Sequence, residues 1–135
     1  MDVQEVERLL RERRLFLTPQ RRAILEYLSD NPEHPTAARV FEAVTRGQPV
    51  TSRATVYNTL ALFQELGVLQ EVNLPGKEAR FDPNDEPHHH FHCGQCDTLF
   101  DIPAAQVQVA ATNLGPMQVE RSSVLFEGVC ASCAG

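Results

Sequence analysis

The 135-residue sequence predicts an α+β protein in two parts: a winged helix-turn-helix domain, then a small α/β domain carrying a four-cysteine zinc site. Three observations lead there. Four segments of helical period precede a strand–turn–strand pattern, which is the element order of a winged helix. The stretch "DPNDEP", residues 82–87, holds two prolines and three acids and reads as a linker. Beyond it lie all four cysteines, as two C-x-x-C pairs, and four of the five histidines.

Each element has its own signals. Residues 3–15 are expected to form a first helix with Val3, Val6, Leu9 and Leu10 on one face. Thr18 is an N-cap with Pro19 at the first helical position, Ile24, Leu25 and Leu28 form the stripe, and Asn31-Pro32 stops this second helix. Thr36 caps a third, with Val40, Phe41 and Val44 buried and Gly47 as its stop. Ser52 caps a fourth, with Val56, Leu60 and Phe63 inward and Gly67 at its end. "VLQEVNL" and "KEARFD" flank Pro75-Gly76 as a hairpin. In the second part "HHHFHC" and "TLFDI" read as strands, "AAQVQVAATNLG" as a helix and "MQVERSSVLFEGV" as a strand leading into "CASC". The domains are placed at 1–83 and 88–135, with a hinge at 84–87.

Composition narrows the setting. No apolar run approaches the roughly 20 residues of a membrane span, and the N-terminus lacks an apolar signal core. A cytoplasmic location is expected, and cysteines there stay reduced. The net charge of −6 argues against a nucleic-acid partner until it is divided. Residues 1–83 carry 11 Lys/Arg against 12 Asp/Glu, whereas residues 84–135 carry only Arg121 against six acids. The first part also concentrates arginines at positions 8, 11, 13, 14, 21 and 22, so the two parts are suited to different partners.

Cys93-Gly-Gln-Cys96 and Cys130-Ala-Ser-Cys133 can each place two thiolates on one tetrahedral ion. Together they close a structural zinc site with no open position. A thioredoxin-like redox centre needs only one such pair. In a strand, residues at i and i+2 share a face, so His88 and His90 point together while His89 points away. His92 has the same parity but abuts the turn, and is left out of the ligand set. Carboxylates at Asp82 and Asp101 lie nearby, and His34 is the first part's only histidine. Three nitrogens and two oxygens would suit Fe(II) or Mn(II), and zinc as well. Two other function classes compete. A small metal hydrolase would use the same donors but leaves the winged helix unexplained. A zinc-ribbon interaction module accounts only for the cysteines.

"LTPQRRAILEYL", "HPTAARVFEAV", "SRATVYNTLALFQELGVL", "RFD", "HHHFHCGQC", "FD" and "GVCASC" resemble, in order and spacing, the ferric uptake regulator (Fur) family from about Leu9 to Cys133. The detailed match is nearest its peroxide-sensing (PerR) branch, because Asp101 stands where iron sensors more often have glutamate. The resemblance implies a homodimeric, metal-dependent repressor of double-stranded DNA, not an enzyme, with the second domain dimerising. It carries a regulatory Fe(II) or Mn(II) site onto His34, Asp82, His88, His90 and Asp101, and structural Zn(II) onto Cys93, Cys96, Cys130 and Cys133. Iron there would react with peroxide and oxidise a ligand imidazole, with His34 and His90 as targets. A Fur-type iron or manganese sensor without peroxide chemistry is the alternative. Some relatives have a further metal site. Its positions here are Pro87, His89, Gln108 and Ser122, of which only His89 could ligate, so no such site is expected.

The fourth helix, residues 52–66, is then the recognition helix. With Val56, Leu60 and Phe63 inward, Arg53, Thr55, Tyr57, Asn58 and Thr59 are left for DNA. Arg13, Arg14, Arg21 and Arg22 are candidates for phosphate contact.

Overall fold

Side-chain caps set the layout of the first half. Asp2, Thr18, Thr36 and Ser52 each accept a hydrogen bond from a backbone N–H in the first turn of the helix that follows. These helices are α1 (Val3–Glu12), α2 (Pro19–Asp30), α3 (Ala37–Gly47) and α4 (Arg53–Glu65). The computed structural model describes residues 1–31, 33–83, 86–110 and 114–135, and the chain divides into two units, Met1–Asp85 and Glu86–Gly135.

In the first unit the expected stripes pack together. Val6, Leu10, Ile24, Leu25, Leu28, Val40, Val56, Leu60 and Phe63 are all buried in one core. Strands β1 (Gln70–Val72) and β2 (Arg80–Asp82) pair antiparallel. Between them Pro75 and Gly76 form the turn: Lys77 N–H donates to the Leu74 carbonyl, and Gly76 takes φ 71°, which suits glycine. Thr36 bridges Arg80, and Phe81 N–H donates to the Pro35 carbonyl at 2.9 Å, so the approach to α3 lies against β2.

The first helix stops earlier than its apolar pattern suggests. Arg14 adopts φ 59°, its N–H donates to the Arg11 carbonyl, and Leu15 N–H donates to the Leu10 carbonyl. This is a Schellman ending with arginine where glycine is usual, so nothing in the residue type announced it. The second helix ends at Asp30 with Asn31 as its C-cap; Pro32 lies outside the described residues.

The second unit is a three-stranded sheet in the order β4–β3–β5. Strand β3 (His88–Cys93) pairs antiparallel with β4 (Leu99–Pro103) and parallel with β5 (Leu125–Gly128), and α5 (Ala131–Ala134) follows. The parallel pairing requires a long return connection. A helix was expected in it. Among its described residues the helical structure is a single 3₁₀ turn, Ala104–Gln106, with 111–113 lying outside them. The alternation Val107-Gln108-Val109 explains the failure, since β-branched residues at period two favour extended chain. The expected strand from Met117 is likewise confined to Leu125–Gly128.

Candidate metal centre

Strand β3 presents its residues alternately. His90 lies directly opposite Asp101 on β4, so the two share a face, and His88 shares it by parity. His88 Nε2 and His90 Nε2 are 3.1 Å apart, and each lies 3.4 Å from Asp101 Oδ1. Metal–ligand bonds of roughly 2.0–2.2 Å set neighbouring donors about 3 Å apart, so the trio fits one ion. The His88 tautomer follows from its other nitrogen: Nδ1–H donates to the Glu86 carbonyl at 2.6 Å, leaving the Nε2 lone pair for the metal. Both imidazoles are buried, while the Asp101 side chain is 37% exposed and open to a small solute.

The first unit brings together its own two donors. His34 Nε2 lies 3.4 Å from Asp82 Oδ2, and both side chains are buried. His34 has φ 54°, a left-handed conformation that costs a non-glycine residue roughly 1–3 kcal/mol. The Phe81–Pro35 hydrogen bond and Asp82's place at the end of β2 hold the pair in position.

The two remaining histidines of β3 have other partners. His92 Nε2 lies 2.7 Å from Asp97 Oδ1. His89, on the opposite face, accepts the Val124 N–H at its Nδ1 at 2.8 Å, which brings the chain into β5. It therefore acts in the sheet.

All four cysteine sulfurs lie within 4.8 Å of one another. Cys96 and Cys130 Sγ are 3.8 Å apart, and a tetrahedron of Zn–S bonds of about 2.3 Å has an edge of about 3.8 Å. Cys93 Sγ accepts from the backbone N–H of Cys96 and of Cys130, and these bonds pull its thiol down to about 6. The Thr98 hydroxyl, 3.3 Å from Cys96 Sγ, lowers that thiol as well. The neighbouring sulfurs, Cys130 foremost, push Cys133 up to about 12. So many thiols crowded without a cation cannot all ionise, whereas a zinc ion makes every thiolate favourable. Thr98 and Asp97 were not singled out from sequence; their proximity to Cys96 was the available signal.

On α4, Arg53, Tyr57 and Asn58 are exposed and Thr55 is half-buried. Thr59 corrects the expected DNA face: it is buried at 3%, because the α4 stripe widens to include it beside Val56, Leu60 and Phe63. The Arg53 guanidinium sits 4.4 Å over the Phe41 ring, a contact that orients it from α3. Three of the four candidate phosphate ligands have partners within the unit. Arg13 pairs with Glu65 and Arg22 with Glu7, and Arg21 donates to the Phe16 carbonyl. Such exposed ion pairs are worth only about 0–1 kcal/mol, so a phosphate can displace them. Arg14 is exposed.

The ferric uptake regulator family model matches residues 12–121. The chain belongs to the ferric uptake regulator family. It is 34% identical over 127 residues to the peroxide-responsive repressor PerR of Staphylococcus aureus strain Mu50, covering 92% of this chain and 86% of that one. The peroxide stress regulator of Campylobacter jejuni superposes with a TM-score of 0.73 at 27% identity, covering 98% and 100% of the two chains. Helicobacter pylori Fur, described as having three functional metal-binding sites, shares the fold with a TM-score of 0.77 at 16% identity over 98% and 93%. Fur-family members are metal-responsive, dimeric DNA-binding repressors rather than enzymes. Among the described residues, no helix is long and apolar enough to cross a membrane.

Proposed function

We propose that this chain is a cytoplasmic, homodimeric repressor that binds duplex operator DNA when Fe(II) or Mn(II) fills its regulatory site, and that its Fe(II) form responds to peroxide. The observation that carries the reading is that each unit brings together metal-ligating side chains of its own. His34 and Asp82 lie beside the wing of the first unit; His88, His90 and Asp101 share one face of the second unit's sheet. Assigned to a single ion, the five give three imidazoles and two carboxylates, a set suited to Fe(II) or Mn(II). Donors drawn from both units make the orientation of the DNA-binding unit depend on metal binding. In a dimer that orientation sets the spacing of two α4 helices, and consecutive major grooves on one face of DNA lie about 34–36 Å apart. Metal binding then shifts the population toward the DNA-competent form.

Other features support the remaining parts. The exposed side chains at the start of α4 supply groups for base and phosphate contact, and the four cysteines supply a structural zinc site. For the dimer, Phe91 pairs in register with both Phe100 and Phe126, which sets three rings in a row across the sheet face opposite His90. Phe100 and Phe126 are 41% and 40% exposed in the single chain, a surface that a second copy would cover. The 34% identity to a peroxide-responsive repressor and the short, half-open Asp101 carboxylate favour peroxide sensing. Fe(II), when bound, supplies reduction of peroxide, with oxidation of ligand imidazoles, His34 and His90 being the candidates.

The test is operator binding with Fe(II) and with Mn(II), each before and after peroxide. Both metals should support binding, and peroxide should abolish it for Fe(II) alone. Binding that survives peroxide with Fe(II) leaves a metal-responsive repressor without peroxide chemistry. Binding unaffected by either metal overturns the regulatory site.

A further inference from the structure

His92 faces the same way as the sensory pair but takes no part in the sensory trio. Its imidazole is buried at 5%, and its Nε2 lies 2.7 Å from Asp97 Oδ1. Asp97 is the residue that closes the first C-x-x-C turn. Its N–H donates to the Cys93 carbonyl at 2.9 Å, and it adopts φ 65°. Aspartate tolerates that left-handed conformation better than most residues, but glycine alone occupies it freely. A non-glycine residue persists there when its surroundings over-determine it.

The surroundings here include one side-chain bond and two backbone bonds. Cys93 N–H donates to the Thr98 carbonyl at 3.0 Å, while the Asp97 N–H returns to Cys93. The turn is closed at its base, and His92 reaches across from the strand to hold Asp97 by its carboxylate. Cys93 and Cys96 Sγ depend on this turn for their separation. Thr98, which approaches Cys96 Sγ, immediately follows Asp97.

We propose that the His92–Asp97 hydrogen bond is a positioning clamp: it holds the turn in its left-handed conformation and so preforms the zinc-binding geometry of Cys93 and Cys96. Neither residue is a ligand. Asp97 accepts and His92 Nε2–H donates, and the bond acts through the backbone of the turn. This rests on the four cysteines being a zinc site. It adds that the site's kinetic hold on zinc comes in part from a side-chain pair outside the cysteines.

The test uses the full-length, zinc-loaded chain, with release followed by a chromophoric chelator in excess. His92→Leu removes the donor and should release zinc about 10- to 100-fold faster, the scale on which outer-shell partners of metal ligands act. Asp97→Gly also lacks the bond, but its residue needs no clamp at positive φ, so its release should stay near the wild-type rate. The double variant His92→Leu/Asp97→Gly should match Asp97→Gly. Rescue of this kind separates a clamp on the turn from general loss of packing around His92. Release from His92→Leu at the wild-type rate overturns the clamp. So does a double variant as fast as His92→Leu. If His92→Leu does not fold, the double variant decides: folded and zinc-loaded supports the proposal, unfolded overturns it. A wild-type chain that carries no zinc would instead overturn the four-cysteine reading, and the clamp with it.

Discussion

Replacing Cys96 with serine removes one of four thiolates from the second unit, and the size of the effect follows from how little else holds that unit. Among its described residues the buried apolar side chains are Leu99 and the cysteines Cys93 and Cys130. Burying a leucine contributes about 1.5–3 kcal/mol. A structural zinc in a small module contributes about 10–16 kcal/mol of apparent binding free energy at neutral pH, which is also folding free energy. Whole domains are stable by only about 5–15 kcal/mol, so losing even half of the zinc contribution exceeds what Leu99 can offset. The core of the first unit draws on none of this, since every member of it lies between Val6 and Phe81. Cys96→Ser should therefore lose its zinc and its second-unit structure while α1 to α4 remain folded. Metal analysis, far-ultraviolet circular dichroism and a melting curve read all three outcomes. The helical signal should persist and the second unit's transition should disappear; chelation of the wild type should reproduce both. A variant that keeps one zinc per chain and melts like the wild type would refute the reasoning.

Three further outcomes are expected. Arg53→Ala should weaken operator binding by about 1–3 kcal/mol at matched salt, with an unchanged melting curve because Arg53 is exposed; undiminished sequence-specific binding would remove it from the DNA face. Phe126→Glu should shift sedimentation toward the single chain and weaken operator binding, and a variant that remains dimeric would place the interface elsewhere. Asp101→Glu adds a methylene while keeping charge and donor, so metal-dependent DNA binding should survive and peroxide sensitivity should fall. Mass spectrometry of the His34 and His90 peptides checks this, since an equal gain of oxygen in wild type and variant would deny any role to carboxylate length.

Much of this molecule is legible in its sequence where signals are local and chemical. Thr18, Thr36 and Ser52 announce three helix starts, because an oxygen-bearing cap before an apolar stripe has few other uses. The strand parity of His88 and His90 placed them on one face, and the register opposite Asp101 completes the trio. The misses have different causes, one set by packing between helices and the others by local detail that residue type does not announce. The width of the α4 stripe at Thr59 depends on neighbouring helices. The Arg14 ending depends on backbone hydrogen bonds that arginine does not advertise. The connection after β4 failed as a helix over its described residues because Val107 and Val109 favour extended chain, and the described residues of that unit bury little apolar surface to reward helical packing. His92 was set aside for lying close to the turn, and that proximity is what pairs it with Asp97.

Strand β3 explains why the two metal centres belong to one design. Six residues carry His88 and His90 at one end and Cys93 at the other, with phenylalanine in register on the opposite face. A strand's side-chain period is two, so a slip of one residue would turn both histidines onto the aromatic face. The cysteines bracket that register. The Cys93–Cys96 turn closes the hairpin that sets Asp101 opposite His90, and Cys130 lies two residues beyond the end of β5, which pairs with β3 on its other side. The four-cysteine site thereby sets the alignment on which the proposed regulatory donors depend. A chain that has lost zinc should fail to respond to Fe(II) or Mn(II) although all five sensory donors are intact, because His90 and Asp101 are no longer held on one row.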